Sequence, residues 1–166
     1  IGIYGNSSGG HLALMLGLTG DPGDPTAEED VLRVSNRVAA IVAYYAPSDL
    51  DPGAESVLPP ERPSTRYPAL NFDYAKYAKE VSPITYVSPD DPPTLLLHGD
   101  RDATVPIKEG HALHGAFRRR GVIANLIVFA GAGHSFQGED ARRATIAMAD
   151  WFSKHLTGKK VVDLSR

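Results

Sequence analysis

The chain of 166 residues contains no cysteine, which excludes disulfide bridges, a thiol nucleophile and a cysteine-ligated metal, while leaving the compartment open between cytoplasm and export. It lacks an excess of either charge: 17 Lys+Arg against 20 Asp+Glu leave a formal net charge of −3, and the one basic cluster is Arg118–Arg120. That balance offers no electrostatic footprint for nucleic acid, and the arginine triplet suits a solvated helix C-terminus, where cations favour the dipole. No apolar run approaches the roughly 20 residues of a membrane-spanning helix. There is no internal repeat, no low-complexity segment and no group of ligating residues at metal-site spacing, so neither metal nor cofactor is expected. An initiator methionine is absent as well. The chain opens at Ile1, inside what reads as a strand, and is expected to be part of a longer protein.

What is present begins at once, in Ile1-Gly2-Ile3-Tyr4-Gly5-Asn6-Ser7-Ser8-Gly9-Gly10-His11-Leu12-Ala13-Leu14. A β-branched apolar run leads into Gly-x-Ser-x-Gly (Gly5, Ser7, Gly9), and a helix-compatible segment follows immediately. In that context Ser7 stands on a sharp strand-to-helix turn, its hydroxyl pushed out of the sheet beside the free N–H groups of the helix N-terminus. A Cβ at Gly5 or Gly9 is expected to clash where the backbone passes close to itself. Taken as five residues only, the pattern fits a plain glycine-serine turn equally well.

Downstream, Gly10 to Leu18 is apolar nearly all round, as for a helix packed between a sheet and other elements, and it should stop at Gly20. Thr26 and Glu29 form a capping-box pattern that predicts a short helix ending near Asn36. Val38–Tyr44 and Thr94–His98 are continuous apolar runs, the signature of parallel strands covered on both faces. Between them, Tyr45–Pro93 is broken by prolines and reads as an irregular excursion, a lid or pocket wall, with one short helix around Phe72–Lys79. Pro106 suits the first turn of a helix running to about Arg120 with Gly121 as its C-cap; Ala124–Phe129 is a further strand; a last helix spans about Glu139–Leu156. Strands alternating with helices predict an α/β fold with a mostly parallel sheet flanked by helices, one domain over residues 1–158, with 45–93 as an insertion and 159–166 as a tail.

In open α/β sheets, ligands bind at the carboxyl ends of the strands. Three polar groups fall there: Ser7 after the first strand, Asp102 after Leu95–Leu97, and His134 after Ala124–Phe129. Their chain order, Ser then Asp then His, matches one known arrangement of a nucleophile, acid and base. Gly5-Asn6-Ser7-Ser8-Gly9-Gly10-His11 resembles the nucleophile elbow of α/β-hydrolases of the esterase, acetyl-xylan/feruloyl-esterase and prolyl-oligopeptidase-like groups. Pro92–Pro106 resembles the segment that carries the acid in those proteins, and Gly131-Ala132-Gly133-His134-Ser135-Phe136 resembles their histidine loop.

The resemblance implies an α/β-hydrolase type of fold, here its C-terminal portion with the N-terminal strands absent. It also implies Ser7 as nucleophile, Asp102 as acid, His134 as base and the backbone N–H of Ser8 as one oxyanion donor. A second donor would come from an upstream glycine-rich loop. The substrate implied is a small-molecule ester, cleaved through an acyl-enzyme, and the short Tyr45–Pro93 excursion, with little material for a large lid, favours esters of small or moderate size. A peptide, cleaved by a serine peptidase of the prolyl-oligopeptidase type, is the alternative, and a hydrolase-like binding module is a third reading. With the upstream half of the domain absent, Ile1–Tyr4 should be an unprotected sheet edge and the chain by itself prone to association.

The remaining candidates have plainer readings. Asp49, after the Val38–Tyr44 strand, is the reserve for the acid. Asp100 is expected to hydrogen-bond its own loop. His11, His111, His114 and His155 lie on predicted helices as packing or surface residues, and His98, at the end of a buried strand, should make a structural hydrogen bond.

Overall fold

The computed structural model describes residues 1–50 and 74–158. Four parallel strands lie in chain order across one sheet: β1 (Gly2–Asn6), β2 (Ala40–Tyr44), β3 (Thr94–Gly99) and β4 (Ala124–Phe129). Every residue of β2 and β3 is buried, as their unbroken apolar sequences demand. β1 and β4 are the edges among the described residues and read more mixed; Tyr4 and Val128 are exposed there.

Between them run α1 (Ser8–Leu18), α2 (Tyr74–Tyr77), α3 (Lys108–Arg120) and α4 (Gly138–Phe152). Alternate strand side chains point to opposite faces. Ile41, Ala43 and Leu96 therefore meet Leu14 and Leu18 of α1 and Leu113 and Phe117 of α3 on one face. Val42, Tyr44, Leu95 and Leu97 meet Ala144, Met148 and Trp151 of α4 on the other. The result is a helix–sheet–helix sandwich with two apolar layers.

Local details depart from the expectations. α1 is not enclosed all round, because Leu12 and Leu16 are exposed on the side turned away from the sheet. Its last residue is Leu18, as expected, and the cap is Thr19, whose hydroxyl donates to the Met15 carbonyl, one residue before Gly20. The Thr26–Glu29 capping box does not form. Asp24 Oδ1 accepts both the Thr26 N–H and the Thr26 hydroxyl, a local turn that takes the capping side chain. What remains is a single 3₁₀ turn, Asp30–Arg33. α3 begins two residues after Pro106 and closes as expected on Gly121, left-handed at φ 75°. α4 stops at Phe152, and Ser153–Thr157 continue as a wider π turn. Of the helix expected around Phe72–Lys79, Tyr74–Tyr77 is helical; Phe72, with the rest of 51–73 in the 45–93 excursion, and the 159–166 tail lie outside the described residues.

The turn from β1 into α1 depends on Gly5. A Cβ there would run into the carbonyl of Gly9 and come within 2.7 Å of the Gly10 nitrogen. Gly9 itself faces open space, contrary to the expected clash. The second crowded position is Gly10, where a Cβ would lie 2.9 Å from both the Ala46 Cβ and the Gly5 carbonyl. Gly5→Ala is therefore expected to destabilise the fold by roughly 1–3 kcal/mol or more, as overpacking does. Gly9→Ala should be neutral or stabilising by about 0.5–1 kcal/mol, the usual gain inside a helix. Denaturant melts of the two variants side by side check the contrast.

Candidate active site

The strands pair in register, Asn6 beside Tyr44, Tyr44 beside Leu97 and Leu97 beside Ile127, so the loops leaving their carboxyl ends emerge together. Ser7 is the first residue after β1. Its backbone sits at φ 54° and ψ −119°, a conformation that residues with a Cβ adopt at a cost of order 1–3 kcal/mol. Two hydrogen bonds offset that cost: Ser7 N–H donates to the Tyr44 carbonyl at 2.9 Å, and His11 N–H donates to the Ser7 carbonyl at 2.9 Å. Ser8 opens α1, so its N–H belongs to the first turn, whose donors have no partner within the helix.

Asp102 lies in the loop after β3, its side chain fully buried. Water cannot solvate that carboxylate, so the chain must. Oδ1 accepts the N–H groups of Thr104 and Val105, each at 2.8 Å, and Oδ2 lies 2.8 Å from His134 Nδ1. A carboxylate only accepts, so His134 Nδ1 carries the proton and leaves Nε2 bare. Nε2 faces the Ser7 hydroxyl at 2.9 Å, which donates to it. Ser7, His134 and Asp102, drawn from three loops and as far as 127 positions apart, thus form one chain of hydrogen bonds.

The two loops that carry Asp102 and His134 are laced together. Arg101 N–H donates to the Ala132 carbonyl at 2.9 Å, and Gly131 N–H donates to Asp100 Oδ1 at 2.6 Å. Asp100 thus braces the neighbouring loop rather than its own. Gly99 has no room for a Cβ because the Ala132 carbonyl occupies the space. His98 is buried and makes its structural bond, Nε2–H donating to the Val105 carbonyl at 2.8 Å, while the same nitrogen stands 3.5 Å from Asp102 Oδ2. Asp49, the reserve acid, is not His134's partner; its N–H donates to the Glu109 carboxylate at 2.9 Å. His11 is half-buried and turns Nδ1 toward the Pro47 carbonyl at 3.4 Å, and His155 packs on Trp151 beyond the end of α4.

Two residues of this region carry no sequence signal. Glu109 is buried at the start of α3 and accepts from the Ser48 and Asp49 N–H groups. Tyr45 packs its ring on His134 with centroids 4.7 Å apart. Neither lies in a motif, and both contacts join segments far apart in the chain. A cavity of about 530 Å³ lies at the other end of the sheet, beside the Arg37–Asp90 ion pair, and none of the residues above lines it.

A parallel sheet sandwiched by helices, with a serine on the tight turn into α1, is a fold of the α/β-hydrolase type. The BD-FAE family model matches residues 1–117, and the chain belongs to that family. The probable carboxylic ester hydrolase LipM of Mycobacterium tuberculosis is 31% identical over 124 residues, covering 72% of this chain and 28% of LipM. The acetyl ester-xyloside bifunctional hydrolase of Caldicellulosiruptor lactoaceticus superposes with a TM-score of 0.66 at 30% identity, over 91% of this chain and 52% of that one. Esterase 2 of Thermogutta terrifontis, in a structure phosphonylated by sarin, gives 0.71 at 26% identity, over 95% and 57%. The chain therefore spans under a third of LipM and about half of the two solved enzymes.

Burial holds the His98 and His11 imidazoles below the ordinary histidine range, a hydrogen bond to a carbonyl partly opposing it in each. The unfolded chain then takes up protons first as pH falls. Stability is complete above about pH 6.5, the ordinary histidine value, and declines as pH drops from there toward the lowered folded values. Melting temperature measured from pH 7.5 to 5 should fall along that limb, and His98→Gln should make the fall shallower.

Proposed function

We propose that the protein is a serine hydrolase that cleaves carboxylic esters of small or moderate size through Ser7, His134, Asp102 and a covalent acyl-enzyme. The observation that carries this reading is the unbroken relay from the Ser7 hydroxyl through both nitrogens of His134 to a buried, doubly N–H-bonded Asp102. Membership of a family with esterase relatives supports it.

The steps follow from the geometry. His134 Nε2 takes the Ser7 proton as Oγ attacks the ester carbonyl, and the resulting imidazolium is stabilised by Asp102 through the Nδ1–H bond. The oxyanion of the tetrahedral intermediate accepts from the Ser8 N–H at the positive end of α1. Nε2–H then protonates the leaving alcohol, and the C–O bond to it breaks. Water, deprotonated by His134, repeats the cycle on the acyl-enzyme and returns the acid and free Ser7. Asp102 stays ionised throughout, holding the tautomer that leaves Nε2 free to accept. The modest length of the 45–93 excursion favours substrates smaller than long-chain lipids.

Intact mass after exposure to a fluorophosphonate tests the reading. One adduct on the parent and none on Ser7→Ala is the expected result, and Asp102→Asn should slow ester turnover by roughly 10⁴, as the wrong tautomer does in serine proteases. A folded parent that stays unlabelled, both alone and in a chain extended upstream, would overturn it. Faster turnover of peptide anilides than of matched esters would move the assignment to a peptidase.

A further inference from the structure

We infer that Tyr45 is a positioning residue for His134, its ring setting the orientation in which the imidazole meets Ser7 and Asp102 at once; this rests on the hydrolase reading above. Three non-glycine residues among those described have positive φ: Ser7 at 54°, Tyr45 at 37° and Ser135 at 84°. One is the proposed nucleophile and one directly follows His134 in the chain. The third has no part in the relay. A bulky aromatic residue in that region is a backbone outlier that persists only where its surroundings over-determine it, and such outliers cluster at functional sites.

The surroundings of Tyr45 are of that kind. Its N–H donates to the Leu97 carbonyl at 2.7 Å, which continues the β2–β3 ladder one residue beyond β2. Three residues on, the Glu109 carboxylate gathers the loop from inside the protein. Its Oε2 accepts the Ser48 N–H at 3.0 Å and the Asp49 N–H at 2.9 Å, and the Ser48 hydroxyl stands 3.0 Å from the same oxygen. The segment from Tyr45 to Asp49 is thus tied at both ends to different elements, β3 and α3, and Tyr45 absorbs the sharp change of direction between them.

The consequence of that turn is where the ring goes. Tyr45 is buried, and its ring meets the His134 ring edge-on, centroids 4.7 Å apart and planes at 63°. Phe136 packs edge-on against Tyr45, at 5.2 Å and 88°, and Phe129 lies 4.3 Å from Phe136 with its plane tilted by 35°. The partly exposed imidazole therefore leans on a ring that is itself held edge-on by Phe136 and by Tyr44, the latter at 6.1 Å and 78°. This matters because the terminal torsion of histidine is soft and broad. While Nε2 exchanges its partner from Ser7 to the leaving alcohol, the Nδ1–H bond to Asp102 alone leaves the ring free to rock about that axis. Packing from the side removes that freedom, and small misplacements of a reacting group are costly in rate.

The test compares Tyr45→Phe, Tyr45→Leu and Tyr45→Gly in the full chain, with folding followed by circular dichroism. Tyr45→Phe keeps the ring and should retain kcat within about twofold. Tyr45→Leu removes the ring and should lower kcat tenfold or more at unchanged KM. It should also weaken or broaden the downfield proton resonance of the His134–Asp102 hydrogen bond. Tyr45→Gly relieves the positive φ and should be at least as stable as Tyr45→Leu while losing as much kcat, so it carries the reading even where the leucine variant folds poorly. Undiminished kcat in Tyr45→Leu or Tyr45→Gly overturns the inference. A loss expressed in KM, with the downfield resonance intact, also overturns it and makes the ring a wall of the substrate pocket. Fluorophosphonate labelling of the parent separates the two levels: an unlabelled parent defeats the hydrolase reading, whereas a parent and a Tyr45→Leu variant that label at equal rates defeat this inference alone.

Discussion

The shared register of four parallel strands is the constraint on which the rest of the molecule depends. Because β1, β2, β3 and β4 end in step, the residues that leave them compete for one small volume, and side chains far apart in sequence are brought within hydrogen-bond distance. Two fully buried central strands make that register hard to change, since a slip of one residue would exchange their two faces and break the fitted packing of both layers. The site is thus built over the fully buried centre of the sheet, with Ser7, Asp102 and His134 on loops just above it.

Holding such loops in place costs backbone strain and close approach, and the molecule concentrates both there. Gly5, Gly10 and Gly99 leave no room for a β-carbon there: Gly5 of β1 meets α1, Gly10 of α1 meets the loop after β2, and Gly99 at the end of β3 meets the loop after β4. The positive-φ residues Ser7, Tyr45 and Ser135 lie on the loops after β1, β2 and β4. Carboxylates supply the restraints: buried Asp102 gathers the loop after β3, exposed Asp100 links it to the loop after β4, and buried Glu109 gathers the loop after β2. Asp102 and Glu109 each accept two backbone N–H groups that would otherwise be unpaired in buried or half-buried surroundings. The same bonds that satisfy the loops also aim them.

The boundary between what patterning shows and what it hides runs through particular residues. The sandwich of helices on a parallel sheet was legible because apolar runs such as 94–97 admit few other readings. Ser7, Asp102 and His134 were legible as positions because each follows a strand. The short helix expected from Thr26 failed to form because Asp24, two residues earlier, offers Thr26 a competing bond that capping rules do not weigh. Gly9 looked crowded because it sits in a glycine motif, yet the space beside it is open and the crowded neighbour is Gly10.

The sequence by itself determined the α/β architecture, the order of its elements and which polar residues stand at strand ends, because these follow from periodicity and from residues adjacent in the chain. Tertiary structure decided the pairing of His134 with Asp102 and not Asp49, the bracing of one loop by Asp100, the gathering of another by Glu109 and the contact of Tyr45 with His134. Those depend on distances between segments that are tens of residues apart. Such distances exist only once the strands are in register and both faces of the sheet are packed, so no local pattern can encode them.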